Sequence, residues 1–423
     1  MRLLLLTVIC YSLLPSFHTY LHRFVDRYVN FYMPCTIQAD DLQYTNESCA
    51  PSPWIRGSDP ITELQIICKN STVPRSFLEK TPNVEFLRIR NNSLTSIDGM
   101  SICQWKRLQW IDADFNSLRK LTNGFLFFCK QLNQLLLHNN KIKEIASDAF
   151  IGLKSLRYLD LSSNQITYLD KNVFKPLKKL ENLNLNTNRI QIIDIDLFRY
   201  NMLIGVLDLS NNDLKTIPSE IFQMLDYLEV FSADNNPKLG SIDIRHPDSL
   251  KVLNIANVSQ TRVFIPSNVE EAFLNNNQIS QIFVEPDNTL FILGLSGNCI
   301  TSLLLEGSFN NLETLSLSNN PIQLQSISVV KIKTKYPSIK FLFIPTIDDR
   351  KAEQMILEAE ENQIDLAVGG YSFDDIHSLT YLRFAHFDSI NFENYNQKIY
   401  ITSSVRKYFT NKVKNLIVAN TNE

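Results

Sequence analysis

Hydrophobic residues recur at fixed positions through the middle of the chain. Leu132, Leu135 and Leu137 set a spacing that returns 24 residues later and again after another 24. Alternation within each Leu-x-Leu pair sends the leucines to one face of a short strand and the residues between them to the other. The pattern therefore predicts a series of short strands, one in each repeat, that stack in parallel.

An asparagine follows most of the predicted strands. Seven successive repeats place it at a constant interval of 24 residues, and the later intervals shorten to between 19 and 22. The positions are Asn92, Asn116, Asn140, Asn164, Asn188, Asn212, Asn236, Asn277, Asn298 and Asn320. A buried side-chain amide can satisfy the backbone groups of a sharp turn, so stacked repeats should form an asparagine ladder. Val258 takes the ladder position once, which predicts a missing rung.

A second periodic residue lies on the back of each 24-residue repeat. Phe150, Phe174, Phe198 and Phe222 each come ten residues after a ladder asparagine. We expect their rings to stack beneath the convex side as a spine. The spine ends where the period shortens, so the repeats after about Asp243 should have more extended backs and a different curvature.

The Leu-x-x-Leu-x-Leu-x-x-Asn units resemble the leucine-rich repeat. The resemblance covers residues 61–347 and implies an α/β fold, a solenoid of about 11 to 12 repeats with a curved parallel sheet on its concave face and a cap at each end. The chain is similar to secreted animal proteins such as the Toll and chaoptin ectodomains and the leucine-rich immune proteins of mosquitoes. Those immune proteins often have a C-terminal coiled coil and bind complement-like proteins, whereas this chain has no sustained heptad.

The N-terminal segment departs from the repeat. Residues 1–19 combine Arg2 with a short apolar run, and we interpret them as a signal peptide. The alternative is an uncleaved membrane anchor. Residues 20–60 are predicted to form a cysteine-containing cap, which leads into a capping strand at 61–68.

The C-terminal segment, residues 348–423, also departs from the repeat and is predicted to form a mixed cap. Helical spacing of apolar residues predicts helices over 350–364 and 405–416, and alternation predicts a strand at 398–402. Leu379, Leu382 and Phe384 resemble one degenerate repeat.

Extracellular chemistry is indicated by cysteines and glycosylation motifs. Five of the seven cysteines are disulfide candidates: Cys35, Cys49, Cys68, Cys103 and Cys129. Cys103 and Cys129 precede successive strands, where stacked backs could bring them into bonding range, with two buried thiols as the alternative. Cys299 lies too many repeats away to join them and is predicted to be an interchain or free thiol. Four sequons are candidate glycosylation sites: Asn46, Asn70, Asn91 and Asn257.

Binding residues are expected at the outward strand positions of the concave face. The candidates are Arg88, Arg90, Trp110, Asp112, Asp114, Tyr158, Asp160, Asp208 and Asp234. Arginine and aromatic side chains are enriched in binding hot spots, but Leu-Asp-Leu-Ser is ordinary repeat consensus, so Asp160 and Asp208 have a structural alternative. Further along, four outward positions are apolar and form either a binding patch or a surface under the C-terminal cap. They are Phe273, Ile292, Phe341 and Phe343.

The sequence favours a binding module over an enzyme. The net charge of −3 argues against a nucleic-acid partner. The chain has no glycine-rich phosphate loop or nucleophile elbow, and His377 and His386, near Asp374, Asp375 and Asp388, lack metal-ligand spacing. We expect no catalytic residue, cofactor or metal. The leading hypothesis is a secreted protein-binding scaffold, with a disulfide-linked dimer and a role in innate immunity as further hypotheses. The alternatives are a cell-surface adhesion or receptor ectodomain and, more distantly, an enzyme within 348–423.

Overall fold

The computed structural model describes residues 49–51, 63–68, 82–323, 328–345, 349–368 and 400–401. The strands are β1 (Cys49–Pro51), β2 (Glu63–Cys68), β3 (Phe86–Arg88), β4 (Trp110–Asp112), β5 (Lys120–Leu121), β6 (Gln134–Leu136), β7 (Glu144–Ile145), β8 (Tyr158–Asp160), β9 (Asn182–Asn184), β10 (Val206–Asp208), β11 (Val230–Ser232), β12 (Val252–Asn254), β13 (Arg262–Ile265), β14 (Glu271–Phe273), β15 (Gln281–Val284), β16 (Ile292–Gly294), β17 (Thr314–Ser316), β18 (Phe341–Ile344), β19 (Asp365–Val368) and β20 (Tyr400–Ile401). The helices are α1 (Gly99–Ile102), α2 (Glu220–Met224), α3 (Val329–Lys335) and α4 (Asp349–Glu361).

Among the described residues, sixteen strands form one long sheet. Each strand pairs in parallel with its neighbour in the order β2-β3-β4-β6-β8-β9-β10-β11-β12-β14-β16-β17-β18-β19. The register sets equivalent residues of neighbouring repeats side by side, such as Leu183 beside Leu207. In the three-residue strands from β3 to β17, the central residue is buried in one continuous apolar core. This arrangement confirms the predicted α/β solenoid, with about eleven turns that carry a ladder position.

The ladder asparagines are buried and hold the turns as predicted. The side-chain nitrogen of Asn188 donates to the carbonyl of Leu161, 3.0 Å away in the preceding repeat, and to that of Leu185 at 3.0 Å in its own turn. Its side-chain oxygen accepts from the backbone nitrogen of Ile166 at 3.0 Å. One amide therefore ties two repeats together and satisfies backbone groups that burial would otherwise leave without partners.

No ladder bond is made at Val258, and a neighbouring buried side chain holds this turn in a different way. Gln260 lies two residues later and is 1% exposed. Its side-chain oxygen accepts from the backbone nitrogen of Ile242 at 3.0 Å, and its nitrogen donates to the carbonyls of Ile242 and Arg262 at 3.1 and 2.7 Å. Asn277 resumes the ladder by accepting from the backbone nitrogen of Gln260 at 3.1 Å. A ladder side chain accepts from the backbone nitrogen two residues after the previous ladder position, as Asn236 does from Leu214, whereas Gln260 bonds other backbone groups. The predicted gap in the ladder at Val258 is therefore confirmed, and Gln260 holds the neighbouring part of the turn in a different way.

The residue before each ladder position has a left-handed backbone, with φ between 52° and 67°. These residues are Asn91, Phe115, Asn139, Ser163, Thr187, Asn211, Asn235, Asn257, Asn276, Gly297 and Asn319. Asparagine tolerates this conformation better than other side chains that carry a Cβ. The turn therefore accounts for further asparagines beyond the ladder, and it leaves Phe115 and Thr187 in a strained conformation.

The phenylalanine spine forms over three of its four members. The rings of Phe150, Phe174 and Phe198 stack at centroid distances of 6.0 and 6.2 Å. The ring of Phe222 is buried but packs edge-to-face on Phe231 at 5.0 Å. The backs become extended where the period shortens. There β13 and β15 pair in parallel as a separate two-stranded sheet. This confirms the predicted change in the backs.

The two ends of the sheet are partly described. β2 pairs with β3 so that Leu64 lies beside Leu87, as expected for a capping strand, and β1 pairs with β2 in the antiparallel direction. α4 confirms the helix predicted over 350–364. β19 continues the parallel sheet beyond residue 347, and β20 is antiparallel to β19.

Several predictions about the ends concern residues outside those described. They are the signal peptide at 1–19, most of the cap at 20–60, the degenerate repeat at Leu379, the helix at 405–416 and the His377 cluster. The limits of the caps stay predictions.

We expect the substitution Asn188→Leu to lower the free energy of unfolding by about 1–3 kcal/mol, because buried backbone groups of two repeats lose their partner. Asn268→Leu is the matched control, since Asn268 is exposed and donates one hydrogen bond, to the carbonyl of Asp248. Denaturant titration measures both variants. Equal destabilisation of the two proteins would contradict the ladder interpretation.

Candidate functional site

The concave face exposes side chains mainly in the N-terminal half of the sheet. In β6, β8 and β10 the central residue is buried and the two flanking residues are half-buried, so they remain open to a partner. In β16 and β17 all three residues are buried. The accessible part of the concave face therefore lies among the first repeats.

The four outward apolar positions do not form an exposed patch. Ile292 and Phe343 are only 2% and 6% exposed, and Phe273 and Phe341 are half-buried. The hypothesis of an apolar binding patch at this end of the sheet is therefore not supported.

Three predicted site residues and one unpredicted residue form an arginine–aromatic cluster on β3, β4 and the turns after them: Arg88, Arg90, Trp110 and Phe115. The guanidinium carbon of Arg88 lies 5.1 Å from the centre of the Trp110 ring, and that of Arg90 lies 5.4 Å from the Phe115 ring. Such cation–π contacts hold the arginine side chains in place while their edges stay available to a partner. Phe115 is 41% exposed.

The cluster is extended by two more residues that the sequence did not single out. Phe86 packs edge-to-face on Trp110 at 5.9 Å, and His138 packs edge-to-face on Phe115 at 5.3 Å. A signal for Phe115 was present, because it is the one aromatic residue at the turn position before the ladder. Its φ of 54° shows that a bulky side chain is held there against its backbone preference.

The predicted acidic residues of the concave face accept hydrogen bonds from groups within the chain. They are here called the acidic row and are Asp112, Asp114, Asp160, Asp208 and Asp234. One carboxylate oxygen of Asp160 accepts from the backbone nitrogen and hydroxyl of Ser162 at 2.8 and 2.6 Å, and Tyr158 donates to the other oxygen at 3.3 Å. Asp208 accepts in the same way from Ser210 at 2.9 and 2.5 Å. These bonds close the chain turn at the end of each strand, which is the structural alternative considered for the Leu-Asp-Leu-Ser consensus.

The carboxylates at the other acidic positions also have partners within the chain. The carboxylate of Asp234 accepts from Ser232 and from the side-chain nitrogen of Asn254, at 2.7 and 3.0 Å. Asp112 is 3% exposed, so it offers almost no surface to a partner, and its carboxylate lies 3.8 Å from Arg90. Asp112 lies at an outward strand position, as predicted, but its burial leaves it unsuited to direct contact with a partner.

Burial of the acidic row changes its protonation. Desolvation, together with the neighbouring charges of Asp112 and Asp160, raises the pKa of Asp114 from its ordinary value of 3.8 to about 7. Burial also raises the pKa of Asp112 and of Asp208. Asp114 accepts a hydrogen bond from the backbone nitrogen of His138 at 2.7 Å, which lowers its pKa and opposes the larger effect of desolvation.

The predicted covalent features fall at defined places. Cys103 and Cys129 form a disulfide with Cα atoms 4.6 Å apart on the stacked backs, and Cys49 lies opposite Cys68 in the β1–β2 register. Cys299 is an exposed free thiol. The sequons at Asn91 and Asn257 place both asparagines at the exposed turn before a ladder position, whereas Cys35, Asn46 and Asn70 lie outside the described residues.

Two features are absent from the described part of the chain: a cluster of metal-ligating side chains and a membrane-spanning helix. No group of three or more His, Cys, Asp or Glu side chains there is arranged to hold a metal ion. No helix there is long and apolar enough to cross a membrane.

Comparisons with known proteins agree with this architecture. Residues 130–190 match one leucine-rich-repeat family, and residues 204–225 and 311–331 match another leucine-rich-repeat family. A search of curated proteins found no significant match.

Solved structures show the same fold. The chain is similar to the APL1 leucine-rich repeat domain, at 19% identity over 68% of this chain and 81% of that chain, with a TM-score of 0.53. It is also similar to TLR13 in its complex with ssRNA13, at 19% identity over 70% of this chain and 52% of that chain, with a TM-score of 0.50. At these identities the likeness shows the leucine-rich-repeat fold alone.

The raised pKa of Asp114 predicts a pH-dependent stability. The folded chain holds this proton up to about pH 7, whereas the unfolded chain releases it near pH 4, so the free energy of unfolding should fall as the pH rises between these values. Asp114→Asn should remove this component. Melting temperatures measured from about pH 4 to about pH 8 test it. The same decline in both proteins would show that Asp114 does not titrate in this window.

Cysteine parity and distance predict that at least two thiols per chain stay outside intrachain disulfides, namely Cys299 and one of the five cysteines near the N-terminus. Cys299 should react with a maleimide in the native monomer or form a disulfide-linked dimer that disappears in the Cys299→Ser variant, because it is exposed and far from the other cysteines. Non-reducing electrophoresis with thiol labelling makes the measurement. A monomer without any labelled cysteine after denaturation would contradict the prediction.

Proposed function

We propose that the protein is a secreted, extracellular binding scaffold that presents the N-terminal half of its concave face to a protein partner. The observation that carries this proposal is the arginine–aromatic cluster. Arg88, Trp110 and Phe115 combine large apolar area with fixed guanidinium groups on rigid strands, and these side chains dominate the binding energy of protein interfaces.

The physical case favours this cluster over the acidic row as the main contact. The carboxylates of Asp160 and Asp208 already accept hydrogen bonds from serines within the chain, so binding a basic partner would compete with these contacts. The ring of Phe115 has an exposed face and costs backbone strain, which the fold does not need for its own stability. Strain retained at an exposed aromatic residue is typical of a functional site.

A role in innate immune recognition is the finer part of the proposal. It is supported by the resemblance of the repeats to insect extracellular leucine-rich-repeat proteins and by the apolar N-terminal segment and sequons, which favour secretion. The second candidate is a cell-surface adhesion or receptor ectodomain. Recovery of the mature chain from culture medium supports the first, and its retention with membranes supports the second.

The substitution Phe115→Asn separates binding from stability when all proteins compared also carry Ser117→Ala, because asparagine at position 115 followed by Asn116 and Ser117 would otherwise create a glycosylation motif. It should raise the free energy of unfolding by about 1 kcal/mol, because asparagine suits the left-handed turn, and it should weaken partner binding about tenfold or more, because the exposed ring is lost. Denaturant titration and pull-down from the extracellular fluid of the source organism measure the two effects.

The matched control is Thr187→Asn. It relieves the same backbone strain at the equivalent turn position three repeats away. It should therefore stabilise the chain without changing capture. Trp110→Ala is the second binding variant and should also reduce capture. Undiminished capture by both Phe115→Asn and Trp110→Ala would contradict the proposed function.

A further inference from the structure

A row of residues runs along the edge of the sheet where the strands begin. Each member lies two residues before the buried apolar residue that leads into a strand, and the row runs from Lys106 and Lys130 at one end to Ser267 and Asn288 at the other. Its five central members, here called the edge column, are Lys154, Lys178, Met202, Asp226 and Asp248. All five side chains are exposed, and Met202 is 59% exposed. Because parallel strands all start at the same edge, the column lies on one lateral face of the solenoid.

Backbone hydrogen bonds keep the members of this column in line. The backbone carbonyl three residues after each of the first four members accepts a hydrogen bond from the equivalent backbone nitrogen of the next repeat. Glu181 donates to Arg157 at 2.8 Å, Gly205 to Glu181 at 2.8 Å, Glu229 to Gly205 at 2.9 Å and Lys251 to Glu229 at 2.9 Å. The column is therefore a continuous surface with one residue in each repeat.

The charges of the edge column are not neutralised by ion pairs within the chain. Elsewhere, exposed charges pair across neighbouring repeats, as Lys120 does with Glu144 at 2.8 Å. In the column, two basic residues are followed by Met202 and then by two acidic residues. Lys178 and Asp226 are two strand spacings apart, roughly 10 Å, which is too far for an ion pair. Within the described residues, none of the four charges in the column has an ion-pair partner.

The centre of the column is apolar and exposed. Leu203 and Tyr227 lie beside it in the next column and are 41% and 62% exposed, and Tyr200 on the preceding loop is 39% exposed. An apolar centre flanked by charged residues is the usual anatomy of a protein interface. Exposed side chains of this size are otherwise unfavourable in water.

We propose that the edge column is the interface of a two-fold symmetric dimer of this chain, with the axis near Met202. A two-fold axis at that point brings Lys178 opposite Asp226 of the second copy and Lys154 opposite Asp248 of the second copy, and each contact occurs twice. The same axis packs Met202 and Leu203 against their own equivalents. A surface that is basic on one side of an apolar centre and acidic on the other is self-complementary under this symmetry.

Two other features of the fold leave this surface free. The sequons at Asn91 and Asn257 lie at the turns that follow the strands, so sugars there would project from the opposite edge of the sheet. The arginine–aromatic cluster lies on β3, β4 and the turns after them, away from the edge where the strands begin, so both copies can bind a partner while they are paired. A membrane would fit less well, because Asp226 and Asp248 would be repelled by anionic lipid.

The dimer is expected to be reversible and sensitive to salt. Five repeats span roughly 20 Å along the edge, which offers less than the about 800 Å² per partner of a tight complex. Four ion pairs at the rim of the interface contribute mainly to orientation and weaken as salt screens them. Association should therefore depend on protein concentration and decrease at high ionic strength.

Sedimentation equilibrium of the full chain carrying Cys299→Ser tests the proposal without interference from a covalent dimer. Lys178→Asp and Asp226→Lys should each weaken self-association about tenfold or more, since each places like charges opposite one another. The double variant Lys178→Asp/Asp226→Lys should restore it, and so should an equimolar mixture of the two single variants. Lys171→Asp changes an exposed lysine away from the column and should leave association unchanged.

The outcomes separate this proposal from the proposed function. A monomer at all concentrations, or single variants that associate as well as the parent, would overturn the dimer. Failure of the charge exchange to restore association would overturn the two-fold arrangement. Binding to phosphatidylserine vesicles without self-association would assign the surface to a membrane instead. None of these results affects capture through Phe115, which is measured independently.

Discussion

Each repeat must bury a sharp backbone turn, and every other feature of the structure depends on how the polar groups of that turn are satisfied. The ladder amides do this by bonding the turn of their own repeat and a strand of the preceding repeat at once, as Asn188 does with Leu185 and Leu161. A buried carbonyl or amide without a partner would cost more than a typical hydrogen bond contributes. The ladder therefore fixes the distance and register between repeats, and the leucines fill the core that this register defines.

A constant register has two consequences on the surface. Side chains one repeat apart become neighbours, so the guanidinium groups of Arg88 and Arg90 in one repeat meet the rings of Trp110 and Phe115 in the next. For the same reason, residues spaced along the edge of the sheet combine into a column whose charges can be read directly from the sequence period. The solenoid thus turns periodic positions in the sequence into surfaces with a defined chemistry.

Features governed by periodicity could be predicted from the sequence, whereas those that depend on individual contacts could not. The strands, the ladder, the extended backs and the approach of Cys103 to Cys129 follow from spacing alone. Gln260 was missed because it lies two residues off the period and reaches the turn with a longer side chain. The inward engagement of Asp160 was foreseen only as an alternative, since the same carboxylate pattern serves a turn or a ligand. The strain at Phe115 appears only once the backbone angle of its turn is known.

The central claim is that buried side-chain amides hold the turns along the whole solenoid, with Gln260 holding the turn beside the gap in the ladder at Val258. Amide hydrogen exchange of the native protein tests this most directly at Ile190 and Ile242, whose backbone nitrogens donate to Asn212 and Gln260 at 3.0 Å each. The account predicts comparable protection of the two amides, because both are held inside one cooperative core. Fast exchange at Ile242 with strong protection at Ile190 would show that Gln260 does not hold the turn beside Val258, and would contradict the account.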